Sequence, residues 1–575
     1  MKVCPFKLAG GIVAATLLSY SSVHAVTLPD AGSIMQEQKP QRELHAMLPS
    51  NEEMPPEVSS LPIDRNVEIA VKGFRFEGYQ GFANEAELQA VVSKRAGKTL
   101  NADELQDITN NVTAWLKKRG LLIVRAYFPE QELNSGIVTI AITASKSDHG
   151  IDIERDSRTR IRRCVLQCYA NHGARAGQIL KKDDLERSVL LINDLPGINV
   201  KALISPGSLP GTSAVKYMAS EDSLITGVVW GDNYGNRYTG AWRGNVMVNV
   251  NDPLRYGDQL SVMFTGSSGL DQCQISYHAP VGSNGMKAKV SWSGMRYQLQ
   301  DEFMPLDYGG VSSIVDGGLS YPVIRSRKTT VTTGVTVADK RLSDKRSGVN
   351  QDERHVSSGT ISLDGVNFDE LMGGGSMSWH TSMSSGDFHE SNNFAHQDAV
   401  LNGSEGPFTY FSTSVDRLQR LSEKLSLNLS WSGQFANGNL SSGEKFYLGG
   451  PSGVRAYPVG EAGGDEGHLL NATVRYRLPM PISMGNVEVS GFYDAGRITL
   501  NHDRYTEDVV SATGRNTYWL QGAGIGLNWV YASTVVVHTT WAHTIGSNPG
   551  RSIYGMNADG RRDNSRFWLQ AMLYF

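Results

Sequence analysis

The fold is decided by one stretch of the chain, Leu425-Ser426-Leu427-Asn428-Leu429-Ser430-Trp431-Ser432-Gly433-Gln434-Phe435. Its apolar residues occupy odd positions and its polar residues occupy even positions. Side chains of a β-strand point alternately to opposite faces, so this pattern predicts a strand with one apolar and one polar face. Because the polar face carries Ser, Asn and Gln, we expect it to line a wet interior while the apolar face meets lipid.

The same period of two continues from about residue 221 onward. It is visible from Trp242 to Val250, from Met377 to Met383 and from Phe567 to Phe575. A soluble β-sandwich also alternates, but each of its apolar faces needs a second sheet to cover it. Sixteen strands are predicted, with starts near residues 223, 237, 258, 270, 286, 312, 328, 355, 373, 407, 422, 467, 485, 517, 533 and 564. The predicted fold class is therefore mainly β, with a 16-stranded transmembrane β-barrel over residues 221–575.

The composition agrees with turn-rich β structure. Glycine accounts for 61 of the 575 residues, well above an average usage of roughly 7%. Apolar residues make up 40% and charged residues 19%, which suffices for a large core and excludes a disordered chain. The formal net charge of −4 lacks the basic excess of a nucleic-acid-binding protein, so we expect no nucleic-acid partner. Beyond residue 25 no apolar run reaches the length of a transmembrane helix.

The N-terminal segment has the pattern of an export signal. Two lysines precede an apolar stretch from Leu8 to Leu18, and Val23-His24-Ala25 fits a cleavage site. We therefore predict a signal peptide over residues 1–25. Residues 26–65 are polar and interrupted by proline, so we expect a short helix around Ala31 to Lys39 followed by an extended linker.

Two small α+β modules are predicted between the linker and the barrel, over residues 66–146 and 147–220. Each has the pattern of a strand, two helices and two further strands. In the first module, Asn101 followed by Glu104 is a capping pattern that opens the second helix. We expect a partner to add a strand at an edge strand of one module, either Ile137 to Thr143 or Ser213 to Ala219.

Three cysteines follow the signal peptide: Cys164, Cys168 and Cys273. Cys164 and Cys168 are four residues apart in a predicted helix, and disulfides persist in an oxidising compartment. Their spacing does not fit a CxxC redox pair, and no second pair of ligands completes a zinc site. We expect either a local disulfide between Cys164 and Cys168 or buried free thiols, and we expect no metal and no cofactor.

Two motifs in the barrel give the most specific signal. The first is Val454-Arg455-Ala456-Tyr457, preceded by Leu448-Gly449-Gly450-Pro451-Ser452-Gly453, and the second is Gly491-Phe492-Tyr493-Asp494-Ala495-Gly496. With the layout above, they resemble the Val-Arg-Gly-Tyr loop motif and the Phe-x-Asp-x-Gly strand motif of the two-partner secretion transporter (TpsB) family, the haemolysin or adhesin secretion and activation proteins. Asn193-Asp194-Leu195-Pro196-Gly197 and Asp232-Asn233-Tyr234-Gly235-Asn236-Arg237 support the resemblance. The two modules would then be POTRA domains.

The resemblance implies that a long loop, about residues 440–466, folds inward and is locked to the barrel wall. The implied lock residues are Val454, Arg455, Tyr457, Phe492, Asp494 and Gly496. Alternation along the strand independently places Asp494 on the less apolar face, which points into the lumen. A planar guanidinium can hold a carboxylate with two parallel hydrogen bonds, whereas the alternative for Arg455 is a solvated loop arginine. Ala456 replaces the family's glycine, and a positive φ there would strain the turn.

The resemblance further implies an outer-membrane transporter of a Gram-negative cell, with its POTRA domains in the periplasm and the short N-terminal helix plugging the resting lumen. Such a transporter recognises a large exoprotein (a haemolysin, an adhesin or a contact-dependent inhibition toxin) and passes it unfolded to the cell surface. Whether it also activates the exoprotein stays open. Outer-membrane lipid and, during biogenesis, the barrel assembly machinery are the other implied partners, with Phe575 as the membrane insertion signal.

Two other functions compete with export. One is an outer-membrane protein assembly factor of the same superfamily, which typically carries more than two POTRA domains. The other is a passive porin, which would leave residues 26–219 without a role. The presence of a neighbouring gene for a very large secreted repeat protein would favour export.

The sequence contains no catalytic constellation. Ser452 lacks the spacing and the strand-to-helix context of a nucleophile elbow. Alternate glycines from Gly522 to Gly526 favour a smooth strand wall over a nucleotide-binding loop. His538 and His543 lie on opposite faces of one predicted strand and cannot bind one metal ion. We therefore expect that the chain is not an enzyme.

Overall fold

The computed structural model describes residues 29–38, 68–132, 136–391, 403–504 and 513–575. The predicted signal peptide and most of the predicted linker lie outside the described residues. Within those residues, no helix combines the length and the apolar character needed to cross a membrane.

The first described element is a short helix, α1 (Ala31–Glu37). Asp30 caps it, because its Oδ1 accepts a hydrogen bond from the Ser33 backbone N–H at 2.7 Å. The sequence predicts a helix around residues 31–39, and α1 lies within that range.

The first module contains two helices and five strands. In chain order they are β1 (Ile69–Val71), β2 (Gly73–Glu77), α2 (Glu85–Val92), β3 (Lys98–Leu100), α3 (Ala102–Lys118), β4 (Val124–Tyr127) and β5 (Ile137–Ala144). Asn101 and Glu104 cap α3 reciprocally, as the sequence predicts. The apolar stripe of α3 packs against a three-stranded sheet of order β2-β5-β4, while β1 and β3 form a separate pair.

The second module repeats this arrangement with fewer strands. It consists of β6 (Lys146–Arg155), α4 (Arg163–Gly173), α5 (Lys182–Asn193), β7 (Ile198–Pro206) and β8 (Thr212–Glu221). Its sheet has the order β6-β8-β7. Leu166 and Tyr169 of α4 and Tyr217 of β8 are fully buried in the core between the helices and the sheet.

The prediction that the last strand of each module is an exposed edge is wrong. β5 pairs with β2 on one side and with β4 on the other, and β8 lies between β6 and β7. The reason is that each last strand returns to pair in parallel with the first strand of its module, a non-local pairing that the strand pattern alone does not reveal. The sheet edge opposite β2 in the first module is therefore β4, and the sheet edge opposite β6 in the second module is β7.

Sixteen strands close the barrel, which confirms the predicted number. They are β9 (Ile225–Asp232), β10 (Arg243–Asn251), β11 (Gln259–Gly266), β12 (Leu270–Pro280), β13 (Lys287–Gln298), β14 (Tyr308–Arg325), β15 (Thr329–Arg346), β16 (Val349–Asp369), β17 (Gly375–Ser391), β18 (Gly406–Arg420), β19 (Leu425–Ala436) and, after the loop strands β20 (Phe446–Tyr447) and β21 (Gly463–Gly464), β22 (Glu466–Arg477), β23 (Asn486–Thr499), β24 (Thr517–Tyr531), β25 (Val535–Thr544) and β26 (Ser565–Tyr574). Neighbouring barrel strands are antiparallel, and β26 pairs with β9 to close the ring.

The two faces of β19 follow the alternation of its sequence. Leu429 and Phe435 are 40% and 43% exposed on the outer surface. Gln434 is buried on the inner side, where its Nε2 donates hydrogen bonds to the Glu444 and Asp465 carbonyl oxygens at 2.9 and 3.1 Å. The outer apolar residues therefore belong to a surface that suits lipid, while the inner polar residues contact chain inside the barrel.

Cys164 and Cys168 do not form the disulfide that was one of the two expectations. Both lie on α4, and both are free and exposed, so the alternative of buried thiols is also wrong for this pair. Residues four apart on a helix have Cβ atoms about 5–6 Å apart, whereas a disulfide needs about 3.5–4.5 Å. The helix itself therefore holds the two thiols too far apart for an unstrained bond.

Candidate functional site

The candidate site is built by the loop between β19 and β22, residues 437–465, which folds into the barrel. Its Leu448, Val454 and Tyr457 side chains are fully buried and belong to one apolar cluster with Phe492 and Leu520 of the wall. The Val454 backbone N–H donates to the Leu448 carbonyl oxygen at 2.7 Å. This contact closes a turn that presents the next residue to the barrel wall.

That next residue, Arg455, binds Asp494 of β23 through three donors. Its Nε lies 2.9 Å from Asp494 Oδ2, its Nη2 lies 2.6 Å from Oδ1, and its backbone N–H donates to Oδ2 at 3.1 Å. The carboxylate is fully buried, and the arginine side chain is 15% exposed. The structure thus brings together the two residues that the motifs single out, with the bidentate geometry expected for this pair.

Two neighbours on β22 complete the surroundings of the ion pair. Asn471 Nδ2 donates to Asp494 Oδ1 at 2.7 Å and to the Gly453 carbonyl oxygen at 3.0 Å. Thr473 Oγ1 accepts from Arg455 Nη2 at 3.3 Å. Sequence reasoning missed both residues. Asn471 lies directly opposite Asp494 in the strand register, so the signal that could have found it is the pairing of β22 with β23.

Two aromatic side chains contact Arg455, one at its guanidinium and one at its backbone. The Arg455 guanidinium lies over the Phe492 ring at 3.5 Å from its centre, a favourable cation–π arrangement. The Arg455 backbone carbonyl oxygen accepts a hydrogen bond at 2.8 Å from Trp568 Nε1 on β26. The loop is therefore attached both to β23 and to the strand that closes the barrel.

Residues without bulky side chains on the wall make room for the loop. A Cβ added at Gly496 would lie 2.5 Å from Leu448 Cδ2, and one at Gly522 would lie 2.5 Å from the Ala456 Cβ. Ala456 is fully buried, and its φ is not positive. The strain expected for alanine in place of glycine at this position is therefore absent, and the methyl group instead fills space left by Gly522.

A buried acid of the loop, Glu461, binds the connection between β25 and β26. Its carboxylate accepts hydrogen bonds from Asn548 Nδ2 at 2.6 Å and from the Ala558 backbone N–H at 2.7 Å. Burial raises the pKa of Glu461 to about 6. Both donors belong to the loop between β25 and β26, so the inward loop is held at its outer end as well as at Asp494.

The helix α1 lies in the lumen against β14, β15 and the inward loop. Asp30 Oδ2 forms an ion pair with Arg354 of β16 at 2.7 Å and accepts from Ser442 Oγ at 2.7 Å. Gly32 touches the loop so closely that an added Cβ would lie 2.7 Å from the Gly443 nitrogen. Ile34 is fully buried among apolar lumen side chains. α1 thus has both a charged and an apolar attachment inside the barrel.

The C-terminal end of α1 carries an acid with an unusual environment. Glu37 Oε1 accepts a hydrogen bond from Asn236 Nδ2 at 3.0 Å, and its Oε2 has no hydrogen-bond partner among the described residues. Burial raises the pKa of Glu37 to about 7, and the charge of Asp30 adds to this, although Asn236 and Arg243 act in the opposite direction. The next residue, Gln38, accepts a hydrogen bond from Arg243 Nη1 at 2.9 Å.

A second candidate site is an apolar groove of about 940 Å³ beside the first module's free edge. β4 forms one wall, and the turn that joins β7 to β8 in the second module extends the groove. Its lining includes Leu105, Tyr127, Phe128, Ile204 and Pro206. Among the described residues that line it, Arg125 alone is charged. The groove therefore suits an extended, mostly apolar segment that lies along a sheet edge.

Comparison with known proteins places the chain by its sequence. Residues 211–529 match the family model of the haemolysin secretion/activation proteins ShlB/FhaC/HecB, and residues 69–145 match the ShlB-type POTRA domain. The chain belongs to this family. It is a transporter of the two-partner secretion type, located in the outer membrane of a Gram-negative bacterium with its POTRA domains in the periplasm.

Relatives and solved structures agree with this family. The heme/hemopexin transporter protein HuxB of Haemophilus influenzae is 25% identical, and the alignment covers 100% of both chains. The outer membrane transporter CdiB of Dickeya dadantii is 24% identical over 72% of this chain and 73% of that protein. The solved structure of CdiB from Escherichia coli has the same fold, with a TM-score of 0.71, 20% identity and coverage of 91% of this chain and 93% of the other.

Proposed function

We propose that this transporter binds one large exoprotein in the periplasm and passes it through the barrel to the cell surface in unfolded form. The observation that carries the proposal is that α1 and the fastened loop both occupy the lumen. A passive porin does not need a helix that closes its lumen, whereas an export channel needs an element that leaves when cargo arrives and another that keeps its place. An extended polypeptide is the form of cargo that fits beside a loop fixed to the wall. We propose no catalytic role.

In this proposal the pair Arg455 and Asp494 is the lock that keeps the loop in the lumen, and α1 is the plug. Val454, Tyr457, Phe492 and Gly496 support the lock by packing. The role of Phe575 as an insertion signal for the barrel assembly machinery stays a prediction.

The proposed binding site for the exoprotein is the groove beside β4. An unpaired sheet edge can hydrogen-bond to the backbone of an incoming strand, which demands little of its sequence. Apolar side chains such as Tyr127, which is 41% exposed, would cover the apolar residues of that strand. The chemistry of the groove thus favours a β-strand with apolar side chains on one face.

This binding site can be tested in the full-length protein. We expect Tyr127→Glu and Ile204→Glu to weaken binding of the exoprotein's N-terminal domain, because each places a charge in the apolar groove. The matched control is Leu203→Glu, since Leu203 is 55% exposed and points to the opposite face of β7 from Ile204. Equal affinity of all three variants and the wild type would place recognition elsewhere.

The export function itself is tested by deleting the gene. We expect a single very large exoprotein, encoded by a neighbouring gene, to disappear from the cell surface and the medium, and we expect re-expression to restore it. An assembly factor would instead lower the amounts of many outer-membrane proteins at once. The family match favours export over that alternative, and a general loss of barrel proteins would overturn the proposal.

A further inference from the structure

The segment Asn193-Asp194-Leu195-Pro196-Gly197 of the second module meets the barrel at its periplasmic rim. Arg325, at the end of β14, binds the Asp194 carboxylate with two parallel hydrogen bonds, from Nε to Oδ2 at 2.8 Å and from Nη2 to Oδ1 at 2.7 Å. The Asp194 carbonyl oxygen accepts from Lys287 Nζ, at the start of β13, at 2.6 Å. One residue of the module is therefore bound by two barrel strands.

The residues on either side of Asp194 give this contact a fixed geometry. Asn193 holds the start of β7, because its Oδ1 accepts from the Val200 N–H at 2.6 Å and its Nδ2 donates to the Val200 carbonyl oxygen at 3.2 Å. Leu195 is 2% exposed and lies against the barrel turn at Gly257, where an added Cβ would be 3.0 Å from its methyl groups. Gly197 turns the chain with φ +73°.

Other contacts reach the same rim from the same module. Arg162 lies over the Tyr256 ring at 4.1 Å from its centre, and Arg187 Nη2 donates to the Pro322 carbonyl oxygen at 2.8 Å. The Arg327 backbone N–H donates to Glu186 Oε1 at 2.6 Å. These contacts involve two periplasmic turns and the end of β14, but the bidentate pair of Asp194 and Arg325 is the most directional contact between the module and the barrel.

We infer that the segment 193–197 is the docking element that fixes the orientation of the second POTRA domain over the barrel mouth, and that Asp194 is its positioning residue. A bidentate ion pair fixes an angle as well as a distance, since both hydrogen bonds are satisfied only when the two planar groups are aligned. Fixing this module also fixes the groove that it shares with the first module relative to the pore. The consequence for secretion rests on the proposed export function, whereas the orientation itself does not.

The test is a charge swap in the full-length transporter. Asp194→Arg and Arg325→Asp each place two like charges together, and the double variant restores an opposite pair. The matched control is Asp184→Arg, because Asp184 is exposed in the first turn of α5, the helix that ends just before Asp194, and this turn lies at the end of α5 that contacts the first module. Spin labels at Lys201 and Glu423, in a background without native cysteines, report the distance between the module and a periplasmic turn of the barrel.

We expect a narrow distance distribution in the wild type, in the double variant and in the Asp184→Arg control, and a shifted or broadened one in both single swaps. We expect secretion to follow the same order, while binding of the exoprotein's N-terminal domain stays unchanged. Single swaps with the wild-type distance distribution would overturn the docking role. Single swaps that alter the distances without lowering secretion would overturn the positioning role. If the wild-type protein secretes no exoprotein but the single swaps still change the distances as expected, the result counts against the proposed function alone and leaves the docking role in place.

Discussion

Replacing Arg455 with alanine is the sharpest test of the lock between the loop and the barrel. The change removes the two hydrogen bonds from the Arg455 side chain to Asp494, and the bond from the backbone N–H of residue 455 is lost as well if the loop leaves the wall. Asn471 then remains as a side-chain donor to Asp494. The Asp494 side chain is fully buried. Breaking a buried ion pair by removing one partner costs about 3–5 kcal/mol, because the other charge stays buried without compensation.

At 1.4 kcal/mol for each tenfold change, this cost lowers the equilibrium constant for loop docking by between about a hundredfold and several thousandfold. We therefore expect Arg455→Ala to abolish or strongly reduce secretion while the barrel still inserts. Arg455→Lys should have a smaller effect, because it keeps the charge and loses the planar fork. The matched control is Arg562→Ala, an exposed arginine in the loop between β25 and β26.

Two measurements separate loss of the lock from loss of the fold. Barrel insertion is checked by the heat-dependent shift in gel mobility. Loop docking is checked in a Val454→Cys variant without the native cysteines. Position 454 is fully buried, so the introduced thiol reacts with maleimide only when the loop moves away. The reasoning would be refuted if Arg455→Ala secreted the exoprotein at the wild-type rate while the thiol at position 454 stayed protected.

Three further predictions concern the wall and the plug. Gly522→Ala should displace the loop, because its Cβ would lie 2.5 Å from Ala456 Cβ, and the double variant with Ala456→Gly should restore secretion; no rescue would contradict this packing. Asp30→Ala should raise single-channel conductance in planar bilayers, because it removes the ion pair with Arg354, and deletion of residues 26–48 should raise it as well. Unchanged conductance in both variants would show that α1 does not plug the channel. Glu37 has its pKa raised from 4.5 to about 7, so its contribution to α1 docking is complete below about pH 4.5 and is lost as the pH rises through 7. Conductance should therefore be lower at about pH 5 than at about pH 8, and Glu37→Gln should abolish the difference.

The barrel could be predicted because it depends on a local sequence pattern, whereas the pairing of Arg455 with Asp494 was implied by the family resemblance. Alternation fixes which face of a strand meets lipid, and that alone places Asp494 in the lumen. The helix cap at Asn101 depends on residues only three apart. In contrast, the order of strands in the two modules depends on non-local pairing between β2 and β5 and between β6 and β8, which periodicity does not encode. The expected edge strands were therefore wrong, although their positions along the chain were right.

The residues that sequence reasoning missed are those whose role depends on what lies across a strand or a turn. Asn471 and Thr473 have no motif of their own, and they matter because the register of β22 places them beside the ion pair. Ala456 illustrates the reverse case. A family motif suggests strain at this position, but the need for a small residue is shared with Gly522 on the opposing wall, so the alanine fits without a positive φ.

The surroundings of the two ion pairs determine which lumen element can leave. When α1 departs, Arg354 loses Asp30 but keeps Asp344 and Asp352, the latter at 2.7 Å, so no buried charge is left alone. When the inward loop departs, Asp494 loses Arg455 and keeps the amide of Asn471, which carries no charge. Removing the helix therefore costs a part of one charge network, while removing the loop takes from the Asp494 carboxylate the arginine that compensates its charge. From these contacts we expect that cargo displaces α1 and that the loop remains in the channel beside the cargo.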